Sequence, residues 1–176
     1  MLSRICAMVL VAAVAAAADL PELPKVARTA LEPAIATVVA RFNASEERLR
    51  QAPKVERTGP PTEPYLLRAT YRRAEQKHDV IGVDPGANPV VTVRVRATEF
   101  EKRATNVNGG DLDAALAKAA WVETPRGYLL DFRLRWTGSD WEQLGEPAAH
   151  PTLGVVGRTS ATSVFGSGGV GVRTDE

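Results

Sequence analysis

Cysteine is nearly absent from this chain. The only one, Cys6, lies inside the first apolar run, so the remaining residues have no disulfide, no thiolate nucleophile and no cysteine-based metal site. Histidine is almost as scarce. His78 and His150 lie far apart and follow no metal-ligand spacing, so they read as exposed loop residues. An excess of one charge is missing too. With 22 Lys+Arg against 21 Asp+Glu, bulk charge gives no attraction for nucleic acid or an anionic surface. A charged partner has to be recognised by a local patch. The longest apolar run falls short of the roughly 20 residues that span a bilayer. Gly166-Ser167-Gly168-Gly169 is not followed by the Lys-Ser/Thr of a phosphate loop.

What is present begins at the N-terminus. Met1-Leu2-Ser3-Arg4 is a short basic start, Ile5–Ala17 is apolar, and Ala15–Ala18 supplies the small residues that precede a cleavage site. That order is a secretory signal peptide over residues 1–18, and it predicts a secreted or periplasmic protein with no membrane span after cleavage. Cys6 precedes the apolar stretch, whereas a lipid-bearing cysteine has to follow it. Cleavage after Ala18 removes Arg4 and no acid, leaving 21 basic and 21 acidic residues. An exported chain without disulfides must be held by its core alone.

Residues 19–146 have the composition of a single domain with one core. Leu31, Ile35, Val38, Phe42 and Leu49 recur at spacings of 4, 3, 4 and 7, which predicts one long amphipathic helix. Pro33 is discordant, because a helix-interior proline costs about 3 kcal/mol, so the helix kinks or starts there. Pro53, Gly59, Pro60, Pro61 and Pro64 then break the pattern.

Three period-two segments follow. Tyr65, Leu67, Ala69 and Tyr71 alternate with Leu66, Arg68, Thr70 and Arg72. Val91, Val93, Val95 and Ala97 alternate with Thr92, Arg94, Arg96 and Thr98, and Tyr128, Leu130, Phe132, Leu134 and Trp136 alternate with Leu129, Asp131, Arg133 and Arg135. Such alternation predicts an antiparallel sheet with one face buried. Thr137–Asp140 reads as a tight turn into a fourth strand from Trp141 to about Gly145, with Trp136 facing Trp141 and Arg135 facing Glu142. Asp111 is placed to cap a short helix that buries Leu112 and Leu116. Residues 147–176, rich in Gly, Ser and Thr, read as a flexible tail, with Leu153–Val156 able to dock as an edge strand.

The expected fold is therefore α+β, a long N-terminal helix on a four-stranded antiparallel curved sheet. This element order, over Arg28 to Gly145, resembles the cystatin-like and nuclear-transport-factor-2-like (NTF2-like) architectures. The Gln-x-Val-x-Gly inhibitory motif of cystatins is absent, as is an obvious Asp/His catalytic set, so the resemblance implies a fold and no activity.

The candidate site is the charged sheet face. If the alternation holds on all three strands, Arg68, Arg72, Arg94, Arg96, Arg133 and Arg135 share one surface. Guanidinium forks suit carboxylate, sulfate and phosphate. Glu75, Glu99, Glu101, Asp131 and Glu142 are near enough to neutralise part of that surface. The inward positions carry no His, Asp, Glu, Lys, Ser or Cys, so acid–base chemistry inside the sheet is not expected. No cofactor and no metal site is expected, and no nucleic-acid partner. The reading that follows is an exported, non-enzymatic binding protein for an anionic envelope polymer or acidic protein partner. Two alternatives are a pocket protein or NTF2-like enzyme, holding an apolar ligand near Trp136 and Trp141, and a homodimer formed through the long helix.

Overall fold

The computed structural model describes Leu20 and residues 22–60, 62–105 and 110–153. Residues 1–19, which include the stretch expected to be a signal peptide, and residues 154–176, most of the expected tail, lie outside the described residues. The element order is α1 (Lys25–Gln51), β1 (Val55–Thr58), β2 (Leu66–Asp84), β3 (Val90–Thr105), α2 (Leu112–Lys118), β4 (Val122–Trp136), β5 (Trp141–Gln143) and β6 (Ala148–Leu153). The α+β architecture is as expected, but among the described residues the sheet has six strands rather than four.

The strands run β1-β2-β3-β4-β5, and β6 also pairs with β4. All pairings are antiparallel. β5 and β6 take successive stretches of the same β4 edge, Leu134–Trp136 and Arg126–Asp131. Between them the chain turns at Gly145, whose φ of +70° favours glycine. The segment from Ala148 to Leu153, grouped with the tail by composition, is thus part of the sheet. Pro151 sits where proline is tolerated, on an edge strand.

α1 continues through Pro33, which faces solvent, and the helix begins eight residues earlier. Its stripe of Leu31, Ile35, Val38 and Val39 packs on Val91, Val93 and Val95 of β3 and on Leu130, Phe132 and Leu134 of β4. Burying each large side chain stabilises the fold by roughly 1.5–3 kcal/mol. Trp136 and Trp141 close one end of this core. Their ring centroids are 5.5 Å apart, and the Trp141 indole donates to the Ala27 carbonyl at 2.9 Å. They are packing residues, and the apolar stripe of α1 is spent on the sheet.

β3 and β4 keep the expected phase. β2 does not. Ala74 pairs with Ala97 and Arg72 with Glu99, and both partners point to the α1 side of β3. Arg68, Thr70 and Arg72 therefore share the α1 side, while Leu67, Ala69 and Tyr71 face the other way. The apolar set of β2 is still buried, but under a different helix. Leu67, Ala104, Leu112 and Leu116 form a second, smaller core with Val55 packed against it. α1 thus covers one face of the sheet, and α2 covers the opposite face at its other end.

β1 pairs only with Leu66–Ala69, and among the described residues no other strand pairs with the β2 edge beyond that point. Two α1 side chains replace the missing strand. Asn43 accepts from the Ala74 N–H at 2.8 Å and donates to the Ala74 carbonyl at 3.0 Å. Glu46 accepts from the Arg72 N–H at 2.6 Å. Further along, the register shifts between Ala74 and His78 and again between Val80 and Gly82. Those bulges blunt the rest of the edge against pairing with another chain.

Candidate functional site

The six arginines of the expected surface divide between two faces. Arg94, Arg96, Arg133 and Arg135 lie on the face away from α1. Arg94 stands opposite Asp131 and Thr92 opposite Arg133 in the β3–β4 register. Arg68 and Arg72 lie on the α1 side, which corrects the six-residue patch to four. The cause is the inverted phase of β2. Its Arg-bearing positions continue the α1 side of the sheet, and its apolar positions are claimed by α2.

On the outward face, Arg94 grips Asp131 through two 2.7 Å hydrogen bonds, from Nε and Nη2. That bidentate contact holds the Asp131 carboxyl below its usual range despite partial desolvation, with His150 Nε2 at 3.3 Å adding to the effect. Arg135 reaches Glu142 at 2.7 Å, the cross-strand pair expected from the hairpin. Arg96 and Arg133 are exposed, and among the described residues neither has an ion-pair partner. No described element covers this part of the sheet. Along the β3–β4 register the order is Arg96, the Arg94–Asp131 pair, Arg133 and Arg135, so the two open guanidinium groups stand on either side of a paired one.

The depressed Asp131 pKa sets a pH signature. A group whose folded pKa lies below its unfolded value stabilises fully above the unfolded value, about 3.9 for aspartate, and loses that stabilisation as pH falls through the folded pKa. Asp131→Asn should therefore lower the melting temperature at neutral pH, and the gap from the parent chain should close in acid. Melting curves from pH 7 to pH 2 test this, and a gap that stays constant would refute the assignment.

Arg68 and Arg72 anchor a charged network beside the C-terminal part of α1. Arg72 bonds Glu46 at 3.1 Å and lies over the rings of Phe42 and Tyr128, at 5.7 and 5.4 Å from their centroids. Arg68 donates to Glu101 at 3.0 Å and to Glu99 at 3.2 Å. The Tyr128 hydroxyl donates to Glu99 at 2.9 Å. Burial first, and then the Glu99 carboxylate, raise the Tyr128 pKa, so the phenol stays protonated and keeps donating at neutral pH. Glu46 and Glu99 are each only 5% exposed. Every charged member of this network has a partner, so it reads as a polar closure for the sheet where α1 runs out.

Sequence reasoning missed Glu46, although a signal was there. Val39, Phe42 and Glu46 continue the buried stripe at spacings of three and four, so Glu46 occupies the inward position that was assigned to Leu49. Leu49 is 39% exposed. Both histidines are on strands rather than loops. His78 is in β2 with its ring 3.3 Å from Glu32, and its side chain is only 10% exposed. His150 is in β6, beside Asp131.

Among the described residues, no group of three or more His, Cys, Asp or Glu gathers as a metal site, and no helix is long and apolar enough to cross a membrane. A cleft of about 860 Å³ opens between the second half of α1 and the β5–β6 connection. A second of about 740 Å³ lies further along α1 and shares Val38, Arg41 and Gln143 with the first. No family model, no curated protein and no solved structure matches this chain.

Proposed function

We propose that this is an exported, non-enzymatic binding protein that takes an anionic partner on the outward face of β3 and β4. One observation carries the reading. Arg96 and Arg133 stand exposed and without a carboxylate partner among the described residues, on a stretch of sheet that no described element covers. Neighbouring ion pairs hold Arg94 and Arg135 in place. A strand pair fixes the spacing of the backbone positions that carry these groups, so an anion orders only the side chains when it docks. Guanidinium forks favour the sulfate, phosphate or carboxylate groups of an envelope polymer or an acidic protein. The export component rests on the residue 1–18 leader pattern. The helix-on-sheet arrangement is taken as cystatin-like or NTF2-like in outline only, and it brings no activity with it.

The test is binding of the purified exported chain to dextran sulfate at low salt, with N-terminal sequencing of the same material. Sequencing should read Asp19 first. Binding should weaken steeply as ionic strength rises and the Debye length shrinks toward about 8 Å at physiological salt. Arg96→Glu/Arg133→Glu should lower affinity at least about tenfold, since each reversal replaces an attraction with a repulsion. Both positions are exposed, so the variant should fold. A parent chain that ignores the polyanion, or a variant that binds it equally well, would sink the proposal.

A further inference from the structure

The 860 Å³ cleft is built differently from the outward face and lies on the opposite side of the sheet. Its volume falls in the range of about 300–1,000 Å³ typical of small-molecule sites. The floor is apolar: the half-buried Phe42 ring faces the cleft and meets Phe132, a fully buried core ring, edge to face at 6.0 Å, with Val38 beside them. Arg41, Ser45 and Arg48 form one wall, on the same side of successive α1 turns. The turn at Gly145 forms the other wall with Glu146 and Pro147.

The charge of the cleft is lopsided. Three guanidinium groups, from Arg41, Arg48 and Arg72, face two carboxylates, from Glu46 and Glu146. Glu46 is already engaged by the Arg72 guanidinium and backbone N–H. Arg41 and Arg48 are exposed and have no ion-pair partner among the described residues. Val38 and Arg41 line the adjoining 740 Å³ cleft as well, so the trough continues along α1 past the cationic wall. An elongated molecule has room to extend in that direction.

We propose that this trough binds a small amphiphilic anion, with its carboxylate or sulfonate head at Arg41 and Arg48 and its apolar body over Phe42. Apolar floor and cationic wall act together here. A purely apolar ligand leaves the arginines unanswered, and a purely ionic one leaves the half-buried Phe42 ring in contact with water. An amphiphilic cation meets the wrong charge. This proposal does not rest on the outward arginine face, and the two fail independently.

Isothermal titration calorimetry of the purified chain tests it, with sodium decanoate and decyltrimethylammonium as probes below their micelle concentrations. Decanoate should bind at one saturable site, and the ammonium probe at least tenfold more weakly. Arg41→Glu/Arg48→Glu should weaken decanoate at least tenfold. Ser45→Trp, which fills the cleft from an exposed helix position, should abolish binding while circular dichroism stays unchanged. Arg96→Glu/Arg133→Glu should leave decanoate affinity as it was. Equal affinity for the two probes, decanoate binding that survives both cleft variants, or no decanoate binding at all would each overturn the proposal.

Discussion

Glu46→Ala is expected to destabilise the protein by about 3 kcal/mol, a large share of the roughly 5–15 kcal/mol that holds a domain together. The side chain is 6% exposed and makes two contacts at once. It accepts from the Arg72 backbone N–H at 2.6 Å and from the Arg72 guanidinium at 3.1 Å. Truncation leaves a strand N–H unsatisfied beneath a helix, which alone costs about 1–3 kcal/mol. The guanidinium loses its carboxylate as well, but the Arg72 side chain is 32% exposed and can turn to water, so the loss stays at the lower end for a broken buried pair. Glu46→Gln keeps an acceptor for the N–H and should recover about half of the loss. Urea unfolding measures both. A Glu46→Ala shift under about 1 kcal/mol would mean that the contact closes nothing essential.

Glu46 also shows where sequence reading stops. The pattern located α1, the β3 and β4 core positions, the Trp136–Trp141 hairpin and the Asp111 cap, because each depends on residues within a few places of one another. Asp111 does accept from the Asp113 and Ala114 N–H groups. Four of the six site arginines were assigned to the correct face for the same reason, since local alternation fixes orientation within a strand. Alternation does not say which of two faces a strand's apolar side serves. In β2 that depends on α2, more than 40 positions further along the chain, and nothing local to Leu67 or Arg68 reports it. A buried carboxylate is hidden in a related way. Polar type argues for solvent, and only the partner on another element reverses the inference.

The assignment of two faces makes its own demand on stability. Leu67→Ala is expected to cost about 2–5 kcal/mol, as for other fully buried leucines. Leu67 has no measurable exposure and packs with Ala104, Leu112 and Leu116. α2 is seven residues long, and a helix that short does not persist in water without tertiary contacts. Apart from this packing it is held by the Asp111 cap and by an exposed contact of 2.9 Å between Arg57 and Asp113, which contributes little. Removing the Leu67 side chain takes away the floor on which Leu112 and Leu116 rest. Amide exchange should then show residues 112–118 losing protection first, while α1 and the central stretches of β3 and β4 stay protected under native conditions. Had Leu67 pointed toward α1, the loss would spread through the larger core and α2 would keep its protection. The pattern of exchange therefore distinguishes the two orientations of β2 even if the total destabilisation is the same.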